Sequence, residues 1–207
     1  MKVRTMLNLG VTAMFVVVVG AVSLIVVRGS SASWPGRQLP SLGAVPDFTL
    51  TEASGTTLRR ADLVGKVWIA SFIFTRCGEA CPAMMRHEVR LQAQLPVRDD
   101  LRLVSFSVDP DYDKPSVLVD YAKAFNADRT RWLFLTGNKR LIYSLATDGF
   151  RLSTMDADPE KEMPILHSSK LVLVDRRGEI RGYYDSNDDA ALARLAGDAN
   201  RVLAERS

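Results

Sequence analysis

Phe72-Ile73-Phe74-Thr75-Arg76-Cys77-Gly78-Glu79-Ala80-Cys81-Pro82 holds both cysteines of the 207-residue chain. An apolar run over residues 67–74 leads into this stretch, and a helix-forming run over 83–95 follows it. The pattern predicts a strand buried on both faces, a tight loop carrying two thiols, and a helix with Pro82 in its first turn. Proline is tolerated there because the first N–H groups of a helix have no partner inside it. The helix N-terminus favours negative charge, so it is expected to lower the pKa of a nearby thiol. Thiolate is the form that binds metal or attacks a disulfide, and function is to be sought first at this corner.

Around it, the composition is that of an ordinary globular protein, with 47% hydrophobic and 25% charged residues. The length suits one domain with a real core. The formal net charge of +3 belongs to the N-terminus. Without Lys2, Arg4 and Arg28, the remaining 24 basic residues balance the 24 acidic ones. The body is neutral, and nothing in its charge supports nucleic-acid binding.

Residues 7–27 form a stretch of 21 without a charge, long enough to cross a bilayer as a helix. It exceeds the apolar core of a typical signal peptide and is read as a membrane anchor. A cleaved signal ending near Ser31-Ala32-Ser33 and a buried soluble helix are the other readings. The excess of positive charge before the span places residues 1–6 in the cytoplasm and the body outside, periplasmic in a bacterium. Residues 28–45, rich in Ser, Gly and Pro, read as a linker, and 46–207 as the domain.

Within the domain, 47–51 and 56–59 are expected to form a hairpin. Strands follow at 67–74, 101–108 and 132–135, alternating with helices at 83–95, 115–125 and 138–147, with Asn138 as a cap. A hairpin of 170–174 and 179–184 turns at Gly178, and an amphipathic helix over 188–205 closes the chain. Alternating strands and helices imply a mostly parallel sheet covered on both faces. Thiols at the carboxyl end of a central strand, opening a helix, match a thioredoxin-like arrangement: α/β, with a mixed sheet, flanking helices and an N-terminal hairpin.

Cys77 and Cys81 are separated by three residues. At helical spacing their positions lie on one face about 6 Å apart, and in a loop they converge further. The pair can be a structural disulfide, which over so short a loop stabilises little, a redox-active dithiol, or half of a soft-metal site. Of the two histidines, His87 reads as a solvated helix residue among Arg86, Glu88 and Arg90. His167 lies just before the strand at 170–174, whose entering loop would run beside the cysteine loop. Two thiolates and one imidazole suit Cu(I) and also take Cu(II), whereas structural zinc usually wants a fourth protein ligand. Asp109 ends a strand at the same carboxyl edge, where open α/β sheets place their sites. It could add an oxygen, stand behind the ligands or serve in docking, or start the turn at Pro110. Met84 and Met85 after the cysteine loop, and Met155 and Met163 before His167, are conceivable accessory thioethers for Cu(I), although helical methionine more often fills a core. Trp132, Tyr183 and Tyr184 read as core or rim aromatics.

These residues together resemble the Sco/SenC family. The resemblance is carried by the cysteine stretch, Ser107-Val108-Asp109-Pro110 with Asp113, His167-Ser168-Ser169, and Val174-Asp175 to Gly178. Pro46-Asp47-Phe48-Thr49-Leu50 and Leu63-Val64-Gly65-Lys66 also fit. It implies a membrane-anchored, thioredoxin-fold copper protein that assists assembly of the dinuclear copper centre in subunit II of cytochrome c oxidase. Carried over by position, Cys77, Cys81 and His167 are the copper ligands, and Asp109 matches the family's aspartate near the site. Gly78 departs from the proline that many members have after the first cysteine. The implied activity is a copper metallochaperone. A thiol–disulfide oxidoreductase acting on its client's cysteines, or a copper or redox sensor, are the alternatives. The implied partners are the copper-receiving subunit and, through 7–27, the lipid bilayer.

Overall fold

The computed structural model describes residues 38–78, 80–152 and 168–205. The span at 7–27 lies outside them, and no helix among the described residues is long and apolar enough to cross a membrane. A compact unit begins at Leu39.

In chain order the elements are β1 (Thr49–Glu52), β2 (Thr57–Arg59), β3 (Val67–Ile73), α1 (Ala80–Gln94), β4 (Leu101–Ser107), α2 (Pro115–Ala124), β5 (Trp132–Thr136), α3 (Lys139–Ser144), β6 (Lys170–Val174), β7 (Ile180–Asp185) and α4 (Asp189–Ala204). The described strands form one seven-stranded sheet in the order β2-β1-β5-β4-β3-β6-β7. β3, β4 and β5 are parallel. β6 joins β3 antiparallel, and both hairpins add antiparallel strands at the edges. The α/β, thioredoxin-like arrangement with a mixed sheet is therefore present.

β3 is the strand with most at stake, since every one of its seven residues is buried. A continuous apolar run is what a strand with two covered faces requires. On one face Trp68, Phe72, Phe106 and Phe150 pack together, with Phe72 and Phe106 stacked at 5.0 Å. On the other, Ile69, Ile73, Leu103 and Phe134 meet Met85 and Leu91 of α1, Leu118 of α2 and Leu195 of α4. Burying large side chains on both faces is the main stabilising contribution and fixes where β3 ends.

Local signals act as the sequence suggests. Asn138 accepts the Leu141 N–H at 3.0 Å and caps α3. Asp188 caps α4 by accepting the Ala190 N–H at 2.9 Å. Gly178 takes φ +83° in the β6–β7 turn, a conformation that glycine adopts without strain. Two differences stand out. The helix expected over 138–147 stops at Ser144 and continues as a π-helical turn, Leu145–Gly149. Within the expected linker, residues 39–45 are packed on the domain. Leu42 donates to Ile180 O at 2.8 Å, Val45 donates to Gly178 O at 2.9 Å, and Val45 is buried.

Candidate metal centre

β3 and β4 run parallel in the register Ile73↔Ser107, so their carboxyl ends lie side by side. The loop after β3 carries Cys77, and the loop after β4 carries Asp109, Tyr112 and Asp113. One buried carboxylate fastens these loops together. Asp113 accepts hydrogen bonds from the Thr75 N–H at 3.1 Å, from the Thr75 hydroxyl and from the Ser107 hydroxyl. Its own N–H donates to Asp109 O at 2.8 Å.

Both cysteines are free thiols, Cys77 half-buried and Cys81 buried. A tight turn, Cys77 N–H to Phe74 O at 3.3 Å, brings the first thiol back over the start of the helix. α1 starts at Ala80, so Cys81 sits in its first turn, and the Cys81 N–H donates to Cys77 Sγ at 3.3 Å. The sulfur thus serves one of the donors that a helix N-terminus leaves without a partner. The lowered pKa expected of a thiol there is reversed at Cys81. Burial pushes that thiol up to about 12, helped by Cys77 and by Glu88 and opposed by the Phe74 backbone.

Asp109 does not turn towards the thiols. Its carboxylate is engaged by Arg76, Nη2 at 2.6 Å and Nε at 3.0 Å, both on Oδ2. Its carbonyl accepts from Tyr112 N and Asp113 N, so it also starts the turn at Pro110. Among the described residues, no group of three or more His, Cys, Asp and Glu side chains gathers where it could hold a metal. His167 lies outside the described residues, as do Met155 and Met163. The chain that follows His167 does reach the right edge. β6 is antiparallel to β3 in the register Ala70↔Val172, which carries the start of β6 and Ser168-Ser169 towards the carboxyl end of β3. Two soft sulfur donors side by side suit a soft metal such as Cu(I).

His87 is half-buried, and its Nδ1 faces the Ser186 carbonyl, which leaves it engaged away from the thiols. Met84 and Met85 are core residues. Glu88, grouped by sequence with the solvated neighbours of His87, instead has a fully buried carboxyl with neither oxygen at hydrogen-bonding geometry to a partner. Burial pushes it up to about 8, and the Ser71 hydroxyl only partly offsets this. The signal was available: Cys81, Met84, Met85, Glu88, Leu91 and Leu95 are one helical stripe. In the sequence Asp113 stands only as part of a motif; its burial and three donors supply its role.

A family model described as SCO1/SenC matches residues 38–203. The SCO1 protein homolog of Bacillus subtilis (strain 168) is 36% identical over 143 residues, covering 68% of this chain and 73% of that protein. The structure of BsSco, a member of the Sco family of cytochrome c oxidase assembly proteins, is similar with a TM-score of 0.70 at 29% identity, over 81% of this chain and 98% of that one. Bradyrhizobium japonicum ScoI with copper bound shares the fold, with a TM-score of 0.62 at 22% identity over 77% of this chain and 99% of that one. With the free dithiol at the carboxyl end of β3 and a match that spans almost the whole compact unit, this chain belongs to the SCO1/SenC family.

Proposed function

We propose that this chain is a copper metallochaperone. Cys77, Cys81 and His167 hold one copper ion and pass it on during assembly of the dinuclear copper centre in subunit II of cytochrome c oxidase. Residues 7–27 anchor the domain, residues 28–38 link the two, since 39–45 pack on the domain, and the domain works on the outer side of the membrane.

The observation that carries this reading is the pair of free thiols joined through Cys81 N–H to Cys77 Sγ. The donor set fits copper as cargo, since two sulfurs and an imidazole bind it and leave room for an incoming ligand. Transfer then proceeds by ligand exchange, in which a partner's sulfur or imidazole enters as a ligand of the chaperone leaves. The half-exposed Cys77 is the ligand a partner reaches first, while Cys81 stays covered.

The test is anaerobic titration of the reduced chain with Cu(I) and Cu(II), wild type beside His167→Ala. One copper per chain with a strong thiolate-to-Cu(II) absorption, weakened by the substitution, supports the three-ligand site. Binding of Cu(II) unchanged by His167→Ala removes the histidine from it, and absence of stoichiometric binding sinks the chaperone.

The asymmetry of the thiols favours a second reading. An accessible thiol in front of a buried one suits thiol–disulfide exchange, in which the first attacks and the second resolves. Reduction of a disulfide substrate that survives His167→Ala would favour the oxidoreductase.

A further inference from the structure

We propose that Arg76 and Tyr112 form a docking surface beside Cys77 for a partner protein that presents a carboxylate next to its own metal-accepting thiols. The proposal deepens the chaperone reading and rests on it for the identity of the partner.

Position comes first. Arg76 directly precedes Cys77 at the carboxyl end of β3, and Tyr112 lies in the turn after the neighbouring strand β4. Three large apolar side chains are exposed among the described residues, Val64, Val97 and Tyr112. Val64 and Val97 precede β3 and β4, at the opposite edge of the sheet. The exposed aromatic surface therefore stands at the thiol edge.

The geometry is that of a donor held ready. The Arg76 guanidinium carbon lies 4.4 Å above the centre of the Tyr112 ring. Nε and Nη2 both engage Asp109 Oδ2, and Nη1 has no partner among the described residues. An arginine fork carries five N–H donors, so a second carboxylate can bind Nη1 without displacing Asp109. The ring and Asp109 already restrict the side chain, whose exposure of 57% leaves it open to a partner. Little rotamer freedom is left to lose on docking, and preorganisation of this kind raises affinity. Arginine and tyrosine are also the residue types that dominate interface energetics.

The remaining charges of the loop are already engaged. Asp111 pairs with Lys139 at 3.2 Å, Lys114 donates to Pro110 O at 3.1 Å, and Asp113 is buried on Thr75 and Ser107. An incoming carboxylate therefore finds its donor at Arg76, one residue from the accessible thiol. Anchored there, the partner's own sulfurs lie within reach of Cys77.

The test measures association of the full-length chain in detergent with the soluble copper-binding domain of cytochrome c oxidase subunit II, at low and at physiological salt. Arg76→Glu is expected to weaken association roughly tenfold or more, and Tyr112→Ala several-fold, with a shallower salt dependence in Arg76→Glu. Alkylation of Cys77 by iodoacetamide, a small uncharged probe, should keep its wild-type rate in Tyr112→Ala. Wild-type affinity in both variants overturns the docking surface. So does a loss matched by an equal fall in alkylation rate, or a wild-type chain that does not associate. Copper titration of the wild type judges the chaperone reading separately, because it involves no partner.

Discussion

At position 88 a carboxyl group stands where the helical period of α1 asks for an apolar side chain. An unfolded glutamate releases its proton near pH 4.5, whereas burial holds the folded one up to about 8. Between those values the folded chain keeps a proton that the unfolded chain has lost, so stability falls as pH rises through that window. The full penalty, on the order of 5 kcal/mol, is reached above the folded value. Glu88→Gln removes the titration. Urea unfolding of wild type and variant should give similar stabilities near pH 4.5 and a gap of several kcal/mol in the variant's favour near pH 9, and curves that stay parallel would refute this. Asp113 is the opposite case, a buried carboxylate with its donors in place. Asp113→Ala leaves the Thr75 and Ser107 donors without it and is expected to cost about 3 kcal/mol. The loosened loop should also let iodoacetamide reach Cys81 faster under native conditions, which alkylation followed by mass spectrometry would detect. The two cysteines were legible because the chain has no others. Glu88 was misread because its neighbours Arg86 and Arg90 are exposed, while its own stripe is buried.

Elements were more legible than single side chains, because hydrophobic period and turn chemistry act over many residues at once. The runs at 67–74, 101–108 and 170–174 became β3, β4 and β6 almost unchanged. Two helix boundaries moved. α1 begins at Ala80, ahead of the expected start at 83. Pro82 does not prevent this, since its missing N–H falls among those the first turn leaves without a partner inside the helix. The end of α3 is set by packing. A Cβ at Gly149 would lie 2.8 Å from Pro46 Cδ, so the chain before β1 fits only against a bare backbone there. Phe150 N–H reaches back to Leu145 O at 2.6 Å, the five-residue step of a π turn. No local pattern in 138–147 could announce a contact with Pro46. Gly149→Ala is expected to cost about 1–3 kcal/mol through overpacking, and Asn138→Ala about 1 kcal/mol through loss of the cap. Urea midpoints would check both, and a neutral Gly149→Ala would show that Pro46 yields.

At the scale of the whole molecule, the two edges of the sheet carry different duties. The carboxyl edge of β3 holds the thiols. The opposite edge holds charges that fasten the start of the compact unit and the end of α4. Arg176 donates to the carbonyls of Val202, Leu203 and Glu205, closing the C-terminus of α4, and pairs with Asp100 at 2.8 Å. Arg181, 4% exposed, pairs with Asp175 at 2.9 Å and Glu205 at 2.8 Å, and donates to Leu39 O at 2.6 Å. One guanidinium thus ties the start of the compact unit, the β6–β7 hairpin and the end of α4. Removing a partner from a buried ion cluster leaves charge uncompensated, which typically costs 3–5 kcal/mol, about as much as a small domain can lose and remain folded. Arg181→Met should lower the urea midpoint accordingly. Adding Asp175→Asn and Glu205→Gln should recover part of the loss, since the stranded carboxylates go with the cation. Because this cluster lies across the sheet from Cys77, the alkylation rate of Cys77 in the folded Arg181→Met chain should match wild type. A stability loss that brought an equal change in thiol reactivity would mean that the two edges are coupled through β3 rather than independent.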